Sequence, residues 1–381
     1  MATSSIHIDS WLQAPPGASV ETGLDLAMLR AYPIGRAADY GCSLDDILKL
    51  QRRVGNGAGW VDTCLLLGAD NLARAETLRH GDAGRSAAAF YLYAAACFRL
   101  AQAALEEQPE RRLDVYRRNV DAFGSAMASL GHAGARLELG YRGAPHGAWL
   151  FRPDAVPSGA PCVLVVGGAD GWCEAFFTSV AAFLDRGLAV CLLELPGQGL
   201  ARLQHGSFLD PAFPVMVSAT LDQLAARGGL GGRFGILGHS LGGSLAMRAA
   251  AGDGRLRACC TNGGAVRPLD GLRAYPRALQ RVGRMLGDHC GEADVQRFFL
   301  HLGLEQALQA MSAPVLCLQG GQDPLVSDEA AQELQALYRD DALTYAYWPE
   351  GVHCVYDHAA ERNALVADWF ARQLGAAQPG Q

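Results

Sequence analysis

The rhythm of hydrophobic and polar positions changes near residue 135 of this 381-residue chain. From about Leu24 to Leu130, apolar residues recur at helical spacing, alanine, leucine and arginine are abundant, and β-branched residues are few. That pattern predicts helices around 43–54, 60–79, 85–107 and 110–130. Ser43-Leu44-Asp45-Asp46 reads as a helix start, because a serine oxygen accepts from free N–H groups and acids suit the positive helix end. The run Gly55-Asn56-Gly57-Ala58-Gly59 and the Pro109 region supply breaks.

From Ala135 onward, short apolar runs alternate with helical stretches. Strands are predicted at 137–142, 147–152, 162–167, 188–194, 233–238, 257–261, 314–319 and 343–348. Amphipathic segments lie near 174–185, 212–227, 241–251, 327–338 and 357–374. Runs such as Cys162-Val-Leu-Val-Val166 are apolar on both faces, as central parallel strands under two helical layers must be. The expected fold class is α/β, a mostly parallel eight-stranded sheet with helices on both faces. No helix separates the first two strands, so they are expected as an antiparallel hairpin at the sheet edge. The organisation predicted is a helical N-terminal domain over 1–134 and a catalytic α/β domain over 135–376. A helical insertion at about 268–310 interrupts the second.

Composition narrows the classes. Half the chain is apolar, 19% is charged and the net charge is −7, which fits a large core. It excludes nucleic acid as the expected partner, since no clustered Lys/Arg face is present. The segment 87–105 is mostly alanine, broken by Arg99 and Gln102, and reads as a buried helix, not a membrane span. The N-terminus lacks a basic region followed by an apolar one, and the expected location is cytoplasmic. Eleven cysteines show no metal-site spacing, so they read as reduced core thiols with no metal.

The chemistry concentrates at Gly238-His239-Ser240-Leu241-Gly242, a G-x-S-x-G sequence with a strand before it and a helix after it. The two glycines permit a sharp turn that exposes the Ser240 hydroxyl beside a helix N-terminus. A serine needs a base, and the base needs an orienting acid. In the chain order Ser, acid, His, the acid is Asp323, after the strand at 314–319, with Asp328 in reserve. The base is His353, after the strand at 343–348, with His358 as the alternative. His239 reads as packing or hydrogen bonding beside the nucleophile. The backbone N–H groups of Ala169, in Gly167-Gly168-Ala169-Asp170-Gly171, and of Leu241 are the expected oxyanion donors. Asp170, Trp172, His239 and Trp60 are candidate substrate contacts. Leu195-Pro196-Gly197-Gln198-Gly199 is expected to shape the pocket floor. The Gly-Gly loop lacks the spacing of a nucleotide-binding loop, and no cofactor is implied.

Five blocks carry a wider resemblance: GGADGWCEAFF (167–177), ELPGQG (194–199), GHSLGG (238–243), GGQDPLVS (320–327) and EGVHCVYDHAAERNALVADWF (350–370). With the helical half, including DDILKLQRR, they resemble the FrsA-like esterase branch of the α/β hydrolases, and within it the 2,6-dihydroxypseudooxynicotine hydrolase-like enzymes. The likeness runs from about residue 35 to 374. It implies an α/β-hydrolase fold, a helical domain that helps close the active site, a homodimer, and the nucleophile, acid and base roles for Ser240, Asp323 and His353. Two stretches depart from the family. ADGWCEAF after Gly168 replaces a more polar sequence. TNGGAVRPLDG offers only Asp270 where the C–C hydrolase has a glutamate.

The function expected is that of a serine hydrolase acting on a small-molecule acyl substrate. The bond attacked is an ester, thioester, amide or β-diketone-like C–C bond, cleaved through an acyl-enzyme. An acyltransferase or cyclase of secondary metabolism is the alternative, and a binding protein on a hydrolase scaffold is the third reading.

Overall fold

A computed structural model describes residues 20–81, 83–131, 134–153, 159–338 and 340–376. The chain divides into two compact units, Met1–Gly131 and His132–Gln381.

The first unit is helical: α1 (Val20–Ala31), α2 (Ile34–Asp39), α3 (Leu44–Gly55), α4 (Trp60–His80), α5 (Gly84–Gln102) and α6 (Pro109–Ser129). Ser43 caps α3, its Oγ accepting from Asp46 N at 3.1 Å. Buried polar groups are hydrogen-bonded across the helices. Arg99 on α5 donates to Asn119 Oδ1 on α6 at 3.1 Å, and Asn71 on α4 donates to Asp46 Oδ2 on α3 at 2.8 Å. Such bonds offset the cost of burying these groups and fix the helix register. Helix α5 holds the alanine-rich segment. Among the described residues no helix is long and apolar enough to cross a membrane.

The second unit is built on eight strands: β1 (Ala135–Tyr141), β2 (Ala144–Phe151), β3 (Ala160–Val166), β4 (Ala189–Leu193), β5 (Leu230–His239), β6 (Leu256–Asn262), β7 (Val315–Gly320) and β8 (Leu343–Trp348). Their order in one sheet is β1-β2-β4-β3-β5-β6-β7-β8. The β1–β2 and β2–β4 pairs are antiparallel, and from β4 to β8 the neighbours are parallel. Every residue of β3, β4 and β7 is buried, because helices cover both faces.

Those helices are α7 (Phe177–Leu184), α8 (Gly199–Leu203), α9 (Pro214–Ala225), α10 (Leu241–Gly252), α15 (Asp328–Leu337) and α16 (Ala359–Leu374). The insertion supplies the remaining four, α11 (Pro268–Arg273), α12 (Pro276–Leu286), α13 (Glu292–Leu302) and α14 (Leu304–Ala310), between β6 and β7. Helix α8 begins at Gly199, the last residue of the 195–199 stretch, and no helix is predicted over it. All eleven cysteines are free thiols, ten of them buried. Parallel strands put the ends of β3, β5, β6, β7 and β8 on one edge of the sheet, where ligands of open α/β sheets gather.

Candidate active site

Ser240 sits between β5 and α10 with φ 58° and ψ −133°. A non-glycine residue in that region is strained by about 1–3 kcal/mol. The surroundings over-determine it. Its N–H donates to Asn262 O at 2.8 Å, and its carbonyl accepts from Gly243 N at 2.8 Å. Gly238 is required by close approach, since a Cβ there would lie 2.0 Å from Gly242 O.

Asp323 follows β7. Its Oδ1 accepts from Leu325 N at 2.8 Å and Val326 N at 3.0 Å. The other oxygen, Oδ2, lies 2.7 Å from His353 Nδ1, and His353 Nε2 lies 2.8 Å from Ser240 Oγ. The three side chains from three strand ends therefore form one continuous hydrogen-bonded line. Burial alone would discourage a charge on His353. The Cys354 sulfur and the Asp323 carboxylate outweigh it and raise the imidazole pKa above its ordinary 6.5. Nδ1 bonded to a carboxylate places the proton there in the neutral ring and leaves Nε2 to accept from the serine hydroxyl.

The backbone around His353 is unusual. Cys354 (φ 57°) and Val355 (φ 52°) are both left-handed, a conformation that a β-branched residue rarely adopts. Two buried side chains hold it there by donating to Cys354 O, namely Asn262 Nδ2 at 2.9 Å and Arg362 Nη1 at 3.0 Å. Neither Asn262 nor Arg362 stands out in the sequence. Arg362 falls inside the 350–370 block and Asn262 inside TNGGAVRPLDG without a role of their own, and only the β6–β7–β8 order brings residue 262 beside residue 354.

The other sequence-derived candidates fall in different places. The loop carrying Ala169 abuts the elbow, for a Cβ on Gly168 would lie 3.0 Å from Ser240 Cβ and 3.1 Å from Leu241 N. Asp170 pairs with Arg281 of α12 at 2.7 Å, so the insertion is tied to that loop. Trp172 is fully buried. His239 is 2% exposed and stacks on Phe176 with ring centroids 4.5 Å apart. Asn262 Nδ2 faces its Nδ1 at 3.0 Å. Burial, then Arg362 and His353, push its pKa well below 6.5 and keep it neutral. Trp60 belongs to the core of the helical unit, its indole donating to Leu100 O at 2.9 Å.

The two reserve residues stand apart from the line. Asp328 caps no part of it and accepts from Tyr347 Oη at 2.9 Å, while His358 pairs with Asp357 at 3.3 Å. Asp270 is exposed on α11. Among the described residues no group of three His, Cys, Asp or Glu side chains is placed to hold a metal ion.

Comparison with known proteins accords with the fold. No protein-family model matches the chain. It is 27% identical over 266 residues to 2,6-dihydropseudooxynicotine hydrolase of Paenarthrobacter nicotinovorans, covering 68% of this chain and 70% of that one. It is 31% identical over 287 residues to the α/β hydrolase ucsC of an Acremonium species, covering 68% of this chain but only 56% of the fungal protein. The crystal structure of 2,6-dihydroxy-pseudo-oxynicotine hydrolase superposes with a TM-score of 0.80 at 25% identity, over 91% of this chain and 98% of the other. AbyA5 shares the fold, with a TM-score of 0.63 at 21% identity over 82% of this chain and 89% of that one. These relatives are named hydrolases in the main, which supports hydrolase chemistry in general. By its sheet, its elbow and these likenesses, the chain has the α/β-hydrolase fold, with 2,6-dihydroxypseudooxynicotine hydrolase among its relatives.

Proposed function

We propose that the protein is a serine hydrolase that cleaves a small acyl substrate through a covalent acyl-enzyme. The observation that supports this most strongly is the unbroken line from Asp323 Oδ2 through His353 to Ser240 Oγ, at 2.7 and 2.8 Å. It ends on a serine held at φ 58°. His353 takes the hydroxyl proton as Ser240 attacks the carbonyl carbon. Asp323 holds the ring and stabilises its cation. The amides of Ala169 and Leu241 stabilise the oxyanion, each such donor being worth about 3–4 kcal/mol of barrier. The tetrahedral intermediate collapses, His353 returns the proton to the leaving group, and water releases the acyl group by the same steps.

An ester, thioester or amide fits this scheme, and so does a β-diketone whose leaving group departs as an enolate. The exposed Asp270 does not supply the extra carboxylate that the resemblance associates with C–C cleavage, which favours the heteroatom leaving groups. The test is exposure of the purified protein to a fluorophosphonate probe, read by intact mass, beside Ser240→Ala. A single adduct on the wild type alone is the expected result. An unlabelled wild type would turn the reading toward a binding protein. Product analysis with added amine or alcohol acceptors separates hydrolysis from acyl transfer.

A further inference from the structure

We infer that Gln198 is a positioning residue that sets the direction of the Ala169 amide, one of the two oxyanion donors proposed above; the inference rests on that reading. Gln198 lies in the turn after β4, far in sequence from the loop after β3, and is 0% exposed. Its Oε1 accepts from Leu195 N at 3.0 Å, within its own turn. That bond leaves Nε2 facing the other loop, where it donates to Gly167 O at 2.7 Å and Gly168 O at 2.9 Å. A primary amide has two N–H donors, and both are used on these consecutive carbonyls.

The geometry of the peptide unit gives the bond its consequence. The Gly168 carbonyl and the Ala169 N–H belong to one planar trans peptide and point in opposite directions. Holding that carbonyl against Gln198 therefore turns the Ala169 N–H away from Gln198. On its other flank the same loop meets the elbow, where Gly168 leaves no room for a side chain beside Ser240 Cβ and Leu241 N. Gly167 and Gly168 have little intrinsic preference for this orientation, because glycine explores backbone angles freely. Without the side-chain donor, two buried carbonyls would lack this partner, which is unfavourable. Rotation of the Gly168–Ala169 peptide to find another would carry the Ala169 N–H off its line. A shift of about 1 Å in such a donor can cost about 100-fold in rate.

The test compares wild type, Gln198→Met and Gln198→Glu for phosphonylation of Ser240 by a fluorophosphonate and for hydrolysis of a short-chain p-nitrophenyl ester. Gln198→Met removes both donors, and kcat and the phosphonylation rate should fall about 10- to 100-fold while KM changes far less. Gln198→Glu sets a carboxylate against two carbonyl oxygens at high pH. It regains one donor when that carboxyl is protonated, so its rate relative to wild type should climb as pH falls. A purely structural role would lower the melting temperature without that pH signature. Should Gln198→Met fail to fold, the pH dependence of Gln198→Glu still decides. Both variants labelling at the wild-type rate would overturn the inference and leave the acyl-enzyme reading standing. A wild type that does not label would instead overturn that reading.

Discussion

The side-chain amide of Asn262 donates to the main-chain carbonyl of Cys354, the residue after His353, at 2.9 Å. The main-chain carbonyl of the same asparagine accepts the Ser240 N–H at 2.8 Å. One residue at the end of β6 thus holds the backbone of both the proposed nucleophile and the proposed base. It keeps them in register although they are far apart in the chain.

Replacing Asn262 by alanine removes the support of a left-handed pair and leaves the His239 ring without its partner at Nδ1. The main-chain bond to Ser240 survives. The expected loss is about 1–3 kcal/mol of stability from the buried groups left unpaired. The phosphonylation rate of Ser240 should fall about 10- to 100-fold as His353 drifts. Denaturant melts and labelling rates measure the two separately. A variant that labels at full speed would show that Arg362, the other donor to Cys354 O, suffices alone.

Ser240→Gly should make the protein more stable. The native residue occupies φ 58° and ψ −133°, a region glycine enters without the Cβ clash. Relief of roughly 1 kcal/mol is expected, together with complete loss of the adduct. Ser240→Ala, which keeps the Cβ, should lose the adduct without that gain. Equal melting temperatures for the two variants would mean that the elbow stores no strain.

The pH profile follows from the sign of the His353 shift. The ring acts as a base only when neutral, so kcat/KM for ester hydrolysis should rise with pH. Because the neighbouring sulfur and carboxylate favour the charged ring despite its burial, the midpoint should lie above 6.5. Asp323→Asn removes the carboxylate. It should move the midpoint down and lower kcat on the order of 10⁴-fold by losing the correct tautomer. A wild-type midpoint below 6.5 would mean that burial outweighs the carboxylate.

Much of this arrangement is written in local patterns. All eight strands are marked by short apolar runs, and the missing helix between β1 and β2 marks the antiparallel edge. The elbow, the aspartate after β7 and the histidine after β8 each follow a strand whose apolar run ends at a glycine or proline turn. What the sequence hides is long-range. Asn262, at the end of β6, looks like an ordinary polar residue, and Gln198 is marked only as part of a turn with no role of its own. Their partners at 354 and 167–168 come within reach only once β6 and β4 take their places in the sheet order. Helix α8 is hidden for another reason, since five residues beginning at Gly199 carry no helical periodicity. Trp60 and Trp172 show the converse, for an aromatic residue near a motif is as readily core as pocket.

Glu194, at the end of β4, offers a test of the scaffold beneath the site. It is 3% exposed, and its two oxygens accept from Ala201 N at 2.7 Å and Gly147 N at 3.1 Å. Burial is the dominant influence. The backbone donors and Arg136 oppose it and the Glu174 charge adds to it, and the pKa is pushed up from 4.5 to about 8. Between those values the folded chain keeps a proton that the unfolded chain has released. The unfolding free energy contributed by this group therefore falls as pH rises from 4.5 to about 8. Glu194→Gln cannot ionise and loses one acceptor, so it should start less stable than wild type at acid pH by about 1–3 kcal/mol. The gap should then shrink steadily as pH climbs through the window. Denaturant melts of both proteins across that range measure it, and parallel curves would show that the carboxyl is already ionised in the fold.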